Sequence, residues 1–154
     1  MKIKTFLLLG LLLAVASCTK SSSYSSTIDF SNNQWQKKDP QLFDFTIEDD
    51  SKLYDMVFSI SHVYDYQFAS IPLSFTWIKP DGTTETIPLD FKIKDKNGKD
   101  LGECAGDICD LNYPLKENVK LQKGKHQIKV SHSFQFDYLP NIINIGFKVI
   151  KLNK

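Results

Sequence analysis

Apolar and polar residues alternate with a period of two along much of the chain. The clearest case is the segment 84–94, where Ile87, Leu89, Phe91 and Ile93 alternate with polar residues or proline. The same period, or a composition rich in β-branched and aromatic residues, recurs in segments 42–47, 54–61, 71–78, 125–136 and 142–152. This pattern predicts antiparallel strands with one face in a core and the other in water. No segment shows the period of an amphipathic helix convincingly.

Turn signals connect several of these segments. The run Lys79-Pro80-Asp81-Gly82-Thr83 combines a fixed proline φ, an aspartate that caps its own turn and a glycine that accepts positive φ. It predicts a hairpin between 71–78 and 84–94. The Asn97-Gly98 pair is a second hairpin signal. Because Pro88 has no N–H to give to a sheet, we expect its strand to lie at an edge or to be bulged there.

About eight strands with closely spaced turns favour an all-β fold, an antiparallel β-sandwich of the jelly-roll-like kind, over residues 28–154. Eleven phenylalanines and two tryptophans supply large side chains for its core. Short helical turns are expected only within 110–118. In the last strand, the alternation predicts that Ile143, Ile145, Phe147 and Val149 face one way.

The beginning of the chain has the pattern of a bacterial lipoprotein signal peptide. Lys2 and Lys4 precede an apolar stretch over 6–15, which is shorter than the ~20 residues that a transmembrane helix needs. The run Val15-Ala16-Ser17-Cys18 is similar to a lipobox, in which the cysteine sulfur is diacylated and becomes part of the new N-terminus. The alternative is an ordinary cleaved signal that leaves Cys18 in a soluble secreted protein.

We therefore expect a signal peptide over 1–17, a lipidated Cys18 that anchors the protein to a membrane, and a flexible serine-rich tether over 18–27. The run Thr19-Lys20-Ser21 has no aspartate beside the lipidation site and no early acidic cluster. By resemblance to other lipoproteins, this favours the outer membrane and an orientation toward the periplasm.

The charge balance gives no support to one class of partner, nucleic acid. The chain has 19 basic and 18 acidic residues, and every basic residue is a lysine. Removal of 1–17 takes two lysines and no acid, which leaves 17 against 18 and a formal charge of −1. A near-neutral protein without arginine gives no reason to propose nucleic acid as a partner.

Two cysteines remain after Cys18. Cys104 and Cys109 are five positions apart, and in an oxidising compartment a disulfide is the default. The spacing is not the C-x-x-C of redox and metal motifs, and no histidine lies nearby in sequence. A reduced pair and a metal site are the alternatives.

The sequence shows no constellation of residues that supports catalysis. His126 and His132 share one predicted strand but lie about 20 Å apart at strand rise, which is too far to hold one metal. There is no nucleophile elbow, no phosphate-binding loop and no metal-ligand motif. Acidic pairs such as Asp49-Asp50 are expected to be solvated turn residues. We therefore predict a non-enzymatic protein without metal or cofactor.

One segment is a candidate surface for a partner or ligand. His62, Tyr64, Tyr66 and Phe68 lie between two predicted strands, and aromatic side chains in loops often make contacts because they offer rigid area. The alternative is that these aromatic residues only cover the end of the sandwich. Stacked on a sugar, the same rings would make a carbohydrate-binding module.

Several motifs together resemble the gliding motility lipoprotein H family, GldH, of Bacteroidetes. They begin with the lipobox and serine-rich tether and continue through Trp35-x7-Phe43-x-Phe45-x-Ile47 and the segment 54–66, in which His62 precedes Tyr64 and Tyr66. The remaining motifs are Pro80-Asp81-Gly82, the run 101–107, the segment 124–132 and the closing run 139–147. The resemblance extends over 35–154. The chain departs from the family pattern in having Lys99-Asp100-Leu101 where a tryptophan is usual, and in its Cys104 and Cys109 pair.

The resemblance implies a non-enzymatic accessory lipoprotein of the gliding machinery, which is tied to type IX secretion. Its expected partners are envelope proteins of that machinery. A carbohydrate-binding sandwich lipoprotein is the alternative function, and a hydrolase without a recognised motif is a third.

Overall fold

Two antiparallel sheets pack face to face in the computed structural model, which describes residues 22–153. The strands are β1 (Ser22–Asp29), β2 (Gln34–Gln36), β3 (Gln41–Ile47), β4 (Leu53–Val63), β5 (Ser70–Ile78), β6 (Thr84–Lys92), β7 (Glu103–Ala105), β8 (Ile108–Lys120), β9 (Gly124–His132), β10 (Tyr138–Pro140) and β11 (Ile142–Lys151). Within the described residues, one 3-10 turn, Ser31–Asn33, follows β1. The predicted signal peptide and Cys18 lie outside the described residues.

The sheet topology confirms the predicted all-β sandwich. One sheet has the order β1-β11-β4-β8-β7 and the other β3-β9-β5-β6, while β10 and β2 form a separate two-stranded ribbon. The chain crosses directly between the sheets after β3, β4, β6 and β8, and it crosses through the ribbon between β1 and β3 and between β9 and β11. There are more strands than the eight expected because β2, β7 and β10 have only three residues each, too few to show a period.

The core is made by the inward faces of the two sheets. Burial alternates strictly along β4 and β5, as their composition predicts. The Phe58 ring of β4 meets the rings of Phe75 and Phe91 from the opposite sheet, with centroids 5.0 and 5.8 Å away. Phe43 of β3 stacks on Phe147 of β11, also across the two sheets, with centroids 5.6 Å apart. Aromatic side chains therefore fill the space between the sheets.

The hairpin of β5 and β6 forms where the turn residues predict it. The Thr83 N–H donates to Oδ1 of Asp81 at 2.9 Å, and Gly82 has a φ of +79°. Pro88 lies on β6, which is an edge strand, so the inference from its missing N–H is confirmed.

Three predictions of local structure are wrong. The segment 110–118 is not helical but belongs to β8, because pairing with β4 outweighs its irregular pattern. The expected tether overlaps β1, since residues from Ser22 onward pair with β11 and Tyr24 contacts Phe45 with ring centroids 5.6 Å apart. The strand β9 ends at His132, so the following aromatic residues belong to a loop.

The predicted face of β11 is correct except at its beginning. The register with β4 shifts between Ile142 and Asn144, which is a β-bulge. Ile142 is consequently buried and Ile143 is not, whereas Ile145 and the alternate residues after it face the core.

The strands define two ends of the sandwich. Ser22 lies opposite Ile150 at the end that we call proximal, and Asp29 lies opposite Asn144 at the distal end. The loop of residues 64–69 between β4 and β5 is at the distal end, because His62 pairs with Ile142 there. Among residues 22–153, no helix is long and apolar enough to span a membrane.

Candidate functional site

The distal loop of residues 64–69 contains most of the candidate contact surface, and half of that surface is buried. His62 is fully buried because it occupies a core-facing position of β4. Tyr66 is 1% exposed, and its ring lies 5.3 Å from that of His62. The prediction that these two side chains meet a partner is therefore wrong. Tyr64 is 57% exposed and Phe68 is partly buried, so only these two of the four reach solvent.

Contacts from three directions hold this loop in place. The Tyr64 N–H donates to the Asp107 carbonyl at 2.9 Å, which ties the loop to the turn of the β7–β8 hairpin. Lys94 pairs with Asp65 at 2.9 Å, and the Asn141 side-chain amide donates to Oε1 of Gln67 at 3.2 Å. The loop therefore presents its side chains in a defined geometry.

A row of aromatic rings leads from the core to the distal surface. Tyr66, Phe68, Phe134 and Phe136 follow one another with centroid distances of 5.8, 4.7 and 5.5 Å. All three contacts are edge-to-face, the arrangement that aromatic quadrupoles favour. Tyr66 is the buried end of the row, and Phe136, at 56% exposure, is the solvent end.

The exposed end of this row forms one wall of a groove of about 560 Å³, which we call the distal groove. Its lining residues are Gln67, Phe68, Phe136, Asp137, Tyr138 and Pro140. Alternation predicts that Phe136 ends a strand, whereas it lies in the loop after β9, and no predicted surface includes the segment 136–140. The aromatic residues of the segment 136–140, next to Pro140, are the sequence signal that could indicate a contact surface there.

The distal groove has one charged group in its lining. The carboxylate of Asp137 makes no ion pair with any described residue. The backbone around it is held by the β2–β10 ribbon, since the Lys37 N–H donates to the Asp137 carbonyl at 2.8 Å. The Lys37 ammonium donates to the Phe134 carbonyl at 2.7 Å. The groove therefore combines fixed apolar walls with one free negative charge.

The cysteine pair forms the expected disulfide. Cys104 and Cys109 are direct cross-strand neighbours in β7 and β8 and are bonded to each other. An oxygen of Asp100 lies within 4.8 Å of both sulfurs. Because a metal needs thiolates and these sulfurs are joined, this group of three is not a metal site in the oxidised protein.

Two buried histidines, His126 and His132, interact with neighbouring groups of the fold. His126 accepts a hydrogen bond from the Trp77 indole at 3.1 Å and donates to the Gln122 carbonyl at 2.8 Å. Nε2 of His132 lies 3.1 Å from the Trp35 carbonyl. Burial lowers the pKa of both imidazoles. Burial also raises the pKa of the Tyr66 hydroxyl, which keeps it protonated.

The carboxyl groups with shifted pKa values give no support to acid catalysis. Hydrogen bonds from Lys151 and Ser51 lower the pKa of Asp49, and hydrogen bonds from Thr83 lower that of Asp81 to about 2. A hydrogen bond from Lys116 lowers the pKa of Glu85. A general acid at neutral pH needs the opposite shift.

Comparisons with known proteins identify relatives. A family model described as the GldH lipoprotein matches residues 22–149. The gliding motility lipoprotein GldH of Flavobacterium johnsoniae is 25% identical over 122 residues, which is 75% of this chain and 76% of that protein.

Solved structures give weaker likenesses. The crystal structure of the serine protease of Aeromonas sobria with its chaperone matches 87% of this chain with a TM-score of 0.38 and 11% identity. The dimeric latent PorU of Porphyromonas gingivalis matches 85% with a TM-score of 0.34 and 10% identity. The chain spans only 27% and 13% of those two chains. Likenesses of this size carry no argument about function.

Proposed function

The chain belongs to the GldH lipoprotein family, and from that premise we propose that it is a non-enzymatic component of the gliding machinery of the cell envelope. Its partners in this proposal are envelope proteins of gliding or of type IX secretion. It acts by binding them, not by catalysis. The name of its relative, a gliding motility lipoprotein, supports the assignment.

We place the protein on the outer membrane, facing the periplasm, through a lipidated Cys18. The support is the lipobox and the absence of an acidic residue directly after it. Three residues lie between Cys18 and Ser22, and the four steps from one to the other span at most ~14 Å. The eight residues of β1 then lead about 25 Å toward the distal end. The distal groove would thus be held in the aqueous phase, away from the lipid.

The observation that carries the proposal is the exposure of Phe136 and Tyr138 in the distal groove, at 56% and 37%. Aromatic side chains on a rigid support are the residues that most often dominate binding energy at protein interfaces. The aromatic row behind Phe136 and the bonds that hold the 64–69 loop provide that support.

Carbohydrate binding is the second candidate function. The distal groove places Phe136 and Tyr138 beside the Gln67 amide and the Asp137 carboxylate, a combination that also suits a sugar. Against it, Trp35 and Trp77 are 0% and 6% exposed, so both indoles belong to the core and neither can stack on a sugar.

The test is crosslinking and affinity purification of the intact lipoprotein from its native envelope. A photoreactive benzophenone residue at Tyr138 would report contacts of the distal groove, and the same residue at Leu42, which is 50% exposed on β3, is the matched control. We expect a gliding or type IX secretion component to be linked from Tyr138 and not from Leu42. The product should disappear in a Cys18→Ser variant, which mislocalises the protein.

Equal products from both positions, or none from either, would contradict the proposal. Recovery of polysaccharide instead would favour the second candidate. A glycan array probed with residues 22–153 would then test that candidate directly.

A further inference from the structure

A second groove, of about 400 Å³, lies on the side of the sandwich where an edge of each sheet is open. We call it the lateral groove. It is lined by Leu89, Asp90, Phe91, Lys92, Leu101, Leu111, Asn112 and Tyr113. Leu101 is 49% and Tyr113 37% exposed. The ion pair of Lys116 with Glu85, at 2.7 Å, bridges the two sheets beyond the groove.

The backbone of β6 offers hydrogen-bonding groups to this groove. The Ser133 N–H donates to the Pro72 carbonyl at 3.0 Å, so Pro72 directs its backbone toward β9. In an antiparallel pair, two opposite residues either exchange backbone hydrogen bonds or both direct their N–H and C=O groups away from each other. Asp90 is opposite Pro72, and its N–H and C=O therefore point away from β5, out of the sheet.

The same reasoning applies to β8. The Val63 N–H donates to the Asn141 carbonyl at 3.0 Å, so the N–H and C=O of Val63 point away from its β8 partner, Ile108. Because the register between β4 and β8 is regular here, every second residue of β8 also directs its N–H and C=O away from β4. Asn112, opposite Ser59, is one of these residues. β7 pairs with β8 only as far as Asp110. The N–H and C=O of Asn112 are therefore unpaired among the described residues.

Prolines protect the neighbouring parts of both edges. Pro88 has the same phase as Asp90 on β6, and Pro114 has the same phase as Asn112 on β8. Each stands where an outward N–H would otherwise be exposed, and edge prolines prevent unwanted strand pairing. Within the lateral groove, Asp90, Lys92 and Asn112 lack this protection. Thr84 and Thr86 share the outward phase of β6 but lie outside the groove.

We propose that the lateral groove binds an extended segment of a partner protein, which adds to the open edge of β6 as a further strand. Its backbone would bond to Asp90, and its alternate side chains would pack on Leu89, Leu101 and Leu111. Those side chains are apolar and uncharged, because Asp90 and Lys92 pair with each other and leave the lining without net charge. The site is separate from the distal groove.

The test uses a photoreactive benzophenone residue at Leu101 of the full lipoprotein in its native envelope. The expected product links Leu101 to one segment of one partner, with crosslinks at alternate residues of that segment. Asp90→Pro removes the outward N–H without breaking the ladder to β5, and it should lower the yield about tenfold. Asp90→Ala keeps the N–H and is the matched control, so its yield should stay near that of the parent.

Thermal unfolding of the purified variants shows whether Asp90→Pro folds. If it does not, Lys92→Pro replaces it, because Lys92 has the same phase on β6 and its N–H also points outward. An equal yield from the proline and alanine variants would overturn the proposal, as would crosslinks scattered over many proteins or no crosslink at all. A product from Tyr138 without one from Leu101 would remove the lateral site and leave the proposed function standing.

Discussion

The indole N–H of Trp77 points at Nδ1 of His126, 3.1 Å away in the core. This bond requires an unprotonated Nδ1, while Nε2 keeps its proton to donate to Gln122. The imidazole also lies flat on the Phe45 ring, with centroids 5.1 Å apart. A proton on Nδ1 would point at the indole N–H of Trp77, and the resulting positive charge would lie against the apolar Phe45 ring. The folded protein therefore favours the neutral imidazole.

We therefore expect the free energy of unfolding to decrease as the pH falls below about 6.5, the ordinary histidine value. The folded pKa values of His126 and His132 are lowered, so the unfolded chain binds more protons in this range. Stability is retained above the unfolded pKa and is lost as the pH falls toward the folded values. Urea unfolding at pH 7.5 and 5.5 measures this, and a His126→Leu variant should show a smaller difference between the two. An equal difference in both proteins would contradict the role of His126.

The disulfide should stabilise the hairpin and, through it, the distal loop. A closed loop of this length contributes about 2 kcal/mol by the chain-entropy estimate. A variant with both Cys104→Ser and Cys109→Ser should lose stability of that order. It should also exchange the Tyr64 amide faster, because that N–H donates to Asp107 between the two cysteines. Hydrogen exchange measures this, with the Val63 amide as control, since it donates to Asn141 instead. Equal acceleration at both amides would mean general loosening.

Truncation of Phe58 should lower the stability of the fold, whereas truncation of Phe136 should mainly weaken partner binding. Phe58 is fully buried between the sheets, and Phe58→Ala should cost ~3–5 kcal/mol of unfolding free energy. Phe136 is more than half exposed, and Phe136→Ala should cost less than about 1 kcal/mol while weakening partner binding. Denaturant unfolding of both variants separates the two roles. A large loss of stability in Phe136→Ala would show that this ring serves the fold instead of a partner.

Gly146 is required by close packing between β11 and β4. A Cβ at this position would lie 2.5 Å from Oγ of Ser59 and 3.6 Å from the Ser26 carbonyl. We expect Gly146→Ala to cost ~1–3 kcal/mol, the usual range for overpacking. Because the nearest atom belongs to a small side chain, Ser59→Ala in the same protein should recover most of that loss. A double-mutant cycle by urea unfolding gives the coupling, and purely additive losses would show that the backbone resists instead.

Alternation along the chain was sufficient for the parts of the fold that depend on local pattern. The strands β3 to β6 and β11, the turn at Gly82 and the edge position of Pro88 all follow from residues close together in sequence. Each has a periodic apolar set or a turn with its own chemistry, so the local preference and the final structure agree. The family also follows from motifs in sequence order.

Tertiary structure alone decided the remainder. The serine-rich β1 is a strand only because β11 pairs with it, and β8 only because β4 does. Tyr66 is aromatic and lies in a loop, yet it is buried, because the backbone at Asp65 takes a φ of +54° and the ring meets His62. The distal groove joins Phe68 to Phe136, which are far apart in the chain. The alternation of apolar and polar residues indicates which structure a segment prefers locally. Whether that segment is buried, and which strand it pairs with, depends on the distant segment that packs against it.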